Sequence, residues 1–170
     1  MLFEMTVPQF TKTLHNLSLI IDKAVQNSTE RKFEIDVLFN SRLAPDQFNF
    51  IRQVQIACDT AKLFTARMAG KEKEAPVNED NEKTLPEIKA RIEQTIGYLN
   101  SFKPEDFKGA EERHISQPRW EGKYMTGLEF ATQHAIPNLY FHVTTAYSIL
   151  RHNGVPVGKK DYLGEMPYKK

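Results

Sequence analysis

What the chain has little of narrows its possibilities first. It holds one cysteine, Cys58, so an intrachain disulfide and a CxxC metal framework are both excluded, and a reducing compartment is the expected setting. Charge of one sign is missing too: 23 Lys and Arg stand against 22 Asp and Glu, for a formal net charge of +1. No overall field therefore draws the protein to nucleic acid or to an anionic membrane. No window approaches the roughly 18 consecutive apolar residues of a membrane span. Glu4, Thr6, Pro8 and Gln9 interrupt what would be the apolar core of a secretion signal. A cytoplasmic protein, neither exported nor bound to a membrane, is the expectation. The sequence also lacks a Gly-x-Ser-x-Gly nucleophile elbow, a phosphate-cradling glycine loop and any internal repeat.

What remains is a helical pattern on a chain of 170 residues, enough for one domain with a substantial core, taken here as 1–170. Val7, Phe10, Leu14, Leu17, Ile20, Ile21 and Ala24 recur at three- and four-residue steps, predicting a first helix from Thr6 to Asn27 with Pro8 in its first turn. A helical turn is expected over Glu34 to Phe39. A second long helix, capped by Asp46, is expected from Gln47 to Met68, with Phe48, Val54, Cys58 and Phe64 inward and Gly70 as its stop. Lys71 to Lys83 is charged and nearly free of apolar residues, so it is expected to be an exposed connection. Thr84 caps a third helix with a buried stripe of Ile88, Ile92, Ile96 and Leu99. Alternation over Arg113 to Gln117 predicts a short strand, with Trp120 to Tyr124 as its hairpin partner around Glu121-Gly122. Thr126 caps a fourth helix, with Leu128, Phe130, Leu139 and Phe141 inward, that stops at Asn153-Gly154. The Gly/Pro-punctuated tail beyond is expected to pack on the surface or on a neighbouring subunit.

The chemistry concentrates on the fourth helix, where His134, Asn138 and His142 follow at steps of four and share one face. Polar side chains on an inner face are costly unless they bond to one another, to water or to an ion. Gln55 and Asp59 form a matching pair on the second helix. Pro137 removes the hydrogen bond that the Gln133 carbonyl would accept, and a kink is expected there. His134 and His142 lie about 12 Å apart on a straight helix, too far for one ion. His15, His114 and His152 read as solvated side chains, and Cys58 as a small core residue rather than a nucleophile.

The order of four long helices, the pair Gln55 and Asp59 leading to Arg67-Met-Ala-Gly70, and the closing Pro137-Asn138, His142, Tyr147, Leu150-Arg151 and Gly154 resemble the DinB/YfiT-like superfamily. The closer likeness is to a branch of it described as a domain of unknown function. The resemblance implies an all-α, up-and-down four-helix bundle with a short β-hairpin between helices three and four, and a homodimer. In the superfamily's metal-binding members a histidine on the second helix and two on the fourth hold a divalent ion. The matching positions here are Gln55, Asn138 and His142, so one histidine of three is kept, and neutral amides are poor ligands for zinc or nickel.

The leading reading is therefore a small-ligand pocket at a degenerate metal site, formed by Gln55, Asp59, Asn138, His142 and Tyr147, with an unknown small molecule as partner and no cofactor. One alternative is a divalent-metal-dependent transferase or hydrolase with zinc or nickel on His142 and Asp59. The other is a structural dimer module in which the same groups are core hydrogen bonds.

Overall fold

The computed structural model describes residues 1–169. Its long helices are α1 (Leu2–Glu30), α3 (Phe50–Ala69), α4 (Leu85–Asn100) and a last helix in two parts, α5 (Gly127–Phe130) and α6 (Ile136–His152). Short helices α2 (Asp36–Phe39) and α7 (Lys159–Leu163) and a two-stranded antiparallel ribbon, β1 (His114–Ile115) and β2 (Met125–Thr126), complete it. Around the core the order is α1, α4, α3, α6, each packed on the next and α6 closing on α1. This is the expected four-helix bundle with a short hairpin between its third and fourth long helices. No helix among the described residues is long and apolar enough to cross a membrane.

The stripes of the sequence become the core. Phe64 of α3 meets Phe10 of α1 edge-on at 5.4 Å and stacks on Phe130 of α5 at 6.2 Å, so one aromatic joins three helices. Thr84 and Thr126 each cap their helix in a reciprocal box, with Glu87 and Glu129 returning a carboxylate to the capping residue's N–H at 2.9 and 2.8 Å. Gly70 ends α3 with φ 69°, a conformation that favours glycine. Gly127 starts α5 so close to the segment before β1 that a Cβ would fall 1.8 Å from the Ala110 carbonyl oxygen.

Several boundaries differ from expectation. α1 begins at Leu2, not Thr6, because Leu2 is buried and Phe3 packs edge-on against Phe107 at 5.2 Å; Pro8 thus lies inside the helix. α3 is capped by Asn49, whose side chain accepts the Arg52 N–H at 3.1 Å, in place of Asp46, and Phe48 is exposed before the cap. The partner strand is Met125–Thr126 rather than Trp120 to Tyr124, since Pro118 starts a 3₁₀ turn that carries Trp120 inward onto Phe130. Leu128 and Phe141 point to solvent. The tail packs on α1 of its own chain: Val155 and Val157 are buried, Asn16 donates to the Tyr162 carbonyl at 3.0 Å, and Lys23 pairs with Asp161 at 2.6 Å.

The connection over residues 71–83 is exposed for most of its length, as expected, but Asn78, Asp80 and Glu82 turn toward the bundle. Arg91 falls on the buried stripe of α4 between Ile88 and Ile92, and its side chain is 1% exposed. It donates to Asp59 at 2.9 Å, Asp80 at 3.0 Å and Glu82 at 2.6 Å. A guanidinium inside a bundle is tolerable only when carboxylates surround it, so the connection folds back to deliver Asp80 and Glu82, with Asp80 at φ 55°. Lys62, nearly buried, pairs with Asp59 at 2.7 Å and donates to Asn78, and Arg52 pairs with Asp80. Three cations thus meet three carboxylates and the cluster is neutral.

Replacing Arg91 by Met keeps the stem's packing and removes the charge. The expected loss is about 3 kcal/mol, at the low end for breaking a buried pair because the abandoned carboxylates stay partly within reach of water. Urea unfolding of native and Arg91→Met protein measures it; an unchanged midpoint would mean that the cluster contributes nothing to folding.

Candidate functional site

Asn138 of α6 donates to Thr60 Oγ1 at 2.8 Å, and one turn later His142 meets Gln53 at 2.6 Å. The two helices therefore run antiparallel, with a groove between them toward the start of α6. Arg52, Ile56, Asp59, Thr60, Leu63 and Arg67 form its α3 wall, at helical spacing on one face. Phe130, His134 and Asn138 form the other wall, and Gln117 and Arg119 from the segment between the strands close one end. The cavity is about 230 Å³.

A local irregularity opens this wall. Residues Ala131–Ala135 form a π-helical turn in which the Ile136 N–H donates to the Ala131 carbonyl. Pro137 follows directly, with no N–H to give and a ring that crowds the preceding turn. The irregularity expected at Pro137 takes the form of this π-helical turn, which supplies the ring's place in the chain. The His134 ring then stacks on Phe130 at 5.0 Å with 14° between planes, and Trp120 meets it edge-on at 6.3 Å.

The five side chains read from the sequence as one pocket are not brought together. Asp59 and Asn138 line the groove, but Asp59 is held by Arg91 and Lys62, and Asn138 by Thr60. Gln55 turns toward α4 and the connection, accepting from Arg52 at 3.2 Å and donating to Glu82 at 2.9 Å. Tyr147 lies on another side of α6, its ring edge-on to Tyr162 of α7 at 5.9 Å. His142 is 8% exposed and turned into the bundle toward Gln53, a residue the sequence reading passed over.

The Gln53 contact fixes the state of His142. Gln53 Nε2 donates to the Phe48 carbonyl at 3.0 Å, so its Oε1 faces the ring and accepts. Nδ1 must carry the proton. Burial, aided by the charge of Arg52, pushes this imidazole down to about 4, so it is neutral at physiological pH. His134 is lowered as well, by burial first and then by the charges of Arg119 and Arg67. Arg119 Nη2 lies 3.4 Å from His134 Nε2. A guanidinium only donates, so the His134 proton sits on Nδ1, a buried atom with no partner. Cys58 is fully buried and its thiol is pushed up to about 12 by desolvation, which leaves no thiolate nucleophile.

These residues do not fit the divalent ion that the superfamily resemblance implies. Among the described residues no three His, Cys, Asp or Glu side chains converge as a metal site. His142 and Asp59 are each committed to a separate partner, His142 to Gln53 of α3 and Asp59 to Arg91 of α4. What the groove presents instead is guanidinium: Arg52, Arg67 and Arg119. Arg91 could have been found in the sequence as the one charge set among Ile88, Ile92, Thr95 and Leu99. Gln117 falls at the end of the alternation read as a strand, but the strand stops at Ile115 and a turn places both it and Arg119, which has no periodic signal.

A protein family described as a domain of unknown function, DUF1993, matches residues 2–163. A solved structure of a DinB family member protein from Shewanella denitrificans is 60% identical to this chain. It superposes with a TM-score of 0.98, the likeness covering 100% of this chain and 96% of that one. Comparison with curated proteins finds no match.

His142 gives a pH prediction. Its folded value lies below the ordinary 6.5, so the unfolded chain binds the proton more tightly and stability falls as pH drops from 6.5 toward 4. The slope from this residue is at most about 1.4 kcal/mol per pH unit. Asp80 acts lower: burial raises it, but hydrogen bonds from Arg52 and Arg91 outweigh that and hold it below 3.8. Its contribution is lost only as pH falls from 3.8 through that lower value. Denaturant unfolding across this range should therefore show a shallower decline between pH 6.5 and 4 in His142→Phe than in the native protein. Equal slopes would refute a buried neutral histidine.

Proposed function

The chain belongs to the DUF1993 family of DinB-like proteins, and within that family we propose that it is a small-ligand-binding protein whose pocket is the groove between α3 and α5–α6. The observation that carries this reading is the commitment of the polar side chains at the family's metal-ligand positions. Gln55 is bonded to Arg52 and Glu82, Asn138 to Thr60, and His142 to Gln53. Asp59, the acidic companion, is bonded to Arg91 and Lys62. Turning His142 or Asp59 to a metal would leave a buried partner unsatisfied, Gln53 in the one case and Arg91 and Lys62 in the other, at about 1–3 kcal/mol for a neutral group and more for a charged one.

The groove beside them sets apolar surface from Ile56, Leu63, Phe130 and Ala135 among more numerous polar side chains on both walls and at one end. Small-molecule sites gain affinity from apolar surface and orientation from polar atoms. At about 230 Å³ it suits a molecule the size of a single ring. No nucleophile with an adjacent base faces it, which supports binding over covalent catalysis.

Two-dimensional amide NMR of the full chain against a library of single-ring fragments tests the reading. Hits should shift the amides of Thr60, Leu63, His134 and Asn138 together. Hits that map elsewhere, or none at all, would overturn it. So would a stoichiometric zinc, nickel or manganese ion retained after dialysis and lost in both Asp59→Asn and His142→Ala, since that outcome restores the metal-dependent transferase or hydrolase.

A further inference from the structure

Three arginines face the groove, and they differ in what they already hold. Arg52 pairs with Asp80. Arg67 gives Nε at 2.9 Å and Nη2 at 2.8 Å to Glu72 while its guanidinium lies over the Phe130 ring at 5.6 Å. Arg119 has no carboxylate within ion-pair distance among the described residues; its contact in the groove is His134 Nε2 at 3.4 Å. The one carboxylate on the groove wall, Asp59, cannot compensate it, being already shared by Arg91 and Lys62. The groove therefore carries a single uncompensated cation at the end where the strands connect.

Resting on the pocket reading above, we propose that the ligand is a compact monocarboxylate, its carboxylate on the Arg119 guanidinium and its apolar body along Leu63, Ile56 and the Phe130–His134 stack. Charge decides between carboxylate and phosphate. A dianion asks for two cations, and the other two arginines are paired, so one negative charge is what the groove balances. Shape agrees, because a planar fork of N–H donors accepts a carboxylate in two parallel hydrogen bonds. Gln117, next but one to Arg119 on the same segment, makes no side-chain hydrogen bond among the described residues, and its amide is available as a further donor. The lowered His134 fits the same field: a second cation is disfavoured there, and a neutral imidazole adds ring surface rather than charge.

The single tryptophan reports on this end of the groove, since Trp120 lies 6.3 Å from the His134 ring and 6.0 Å from Phe130. The experiment titrates the full chain, at constant ionic strength, with benzoate and with benzyl alcohol, its uncharged counterpart, reading Trp120 fluorescence and confirming by calorimetry. Benzoate should bind saturably and about tenfold or more tightly than benzyl alcohol. Arg119→Gln, a change at an exposed position, should weaken benzoate by about tenfold or more while leaving benzyl alcohol unchanged. Arg119→Lys, which keeps charge without the fork, should fall between. Equal binding of both probes, or benzoate binding indifferent to Arg119→Gln, would overturn the carboxylate assignment and leave the pocket standing. Binding of neither probe overturns the assignment too, and the fragment map decides separately whether the pocket survives.

Discussion

Arg91 is a guanidinium shut off from water between the apolar residues of α4, and much of this molecule is arranged to make that tolerable. A buried cation of this kind costs several kcal/mol unless carboxylates neutralise it and hydrogen bonds occupy its N–H groups. Asp59 comes from α3, while Asp80 and Glu82 come from a connection that composition alone marks as solvent-exposed. Their recruitment turns that connection into a structured cover over α3 and α4. It also explains the placing of Lys62 and Arg52 nearby, since carboxylates serving one cation retain capacity for a second.

The same cluster settles what α3 can offer to α6. Gln53 and Asp59 are six residues apart, so at about 100° per residue they point roughly 120° apart, Gln53 toward His142 and Asp59 toward the α4 edge of the groove. With Asp59 bound into the α4 side, the residue that meets His142 is Gln53, which brings an amide oxygen in place of a carboxylate. A neutral acceptor and burial together keep the imidazole uncharged, whereas a carboxylate in that place would have favoured the imidazolium. Pro137 acts on the other side of the interface. Its π-turn shifts the residues before it relative to those after it, so that His134 joins an aromatic stack with Phe130 instead of continuing the row of Asn138 and His142.

Element type and order were legible in the sequence because periodicity and capping chemistry are local. The stripes of α1, α3 and α4, the boxes at Thr84 and Thr126, and the stops at Gly70 and Asn153-Gly154 all depend on neighbours a few residues away. The site was only partly legible for the opposite reason. Asp59 and Asn138 do line the groove, yet which face Asp59 serves depends on Arg91, 32 residues away in sequence, and on a connection with no periodic pattern. Even the pairing of His142 rests on a detail of this kind: with the cap at Asn49 rather than Asp46, the Phe48 carbonyl stays outside the helix and takes the Gln53 amide. Arg119 is positioned by the turn over Pro118–Trp120, and a side chain delivered by a turn leaves no mark on hydrophobic periodicity.

The competition between a metal and the present hydrogen bonds can be weighed. A fully ligated structural zinc site contributes roughly 10–16 kcal/mol, but that figure belongs to four thiolate or imidazole ligands. Here one imidazole and one carboxylate could be supplied, each only by breaking an existing contact. Freeing His142 abandons a buried Gln53 oxygen, at about 1–3 kcal/mol. Freeing Asp59 removes a partner from both Arg91 and Lys62, a loss of order 3 kcal/mol or more for cations this deeply buried. The helices would also have to turn relative to one another, because the two groups reach different neighbours. Two ligands gained at that cost are a poor exchange for an interface already closed, whereas a ligand entering the groove breaks none of these bonds. That inequality, more than the count of histidines, is what supports the proposed recognition of a small ligand over metal chemistry on this helix face.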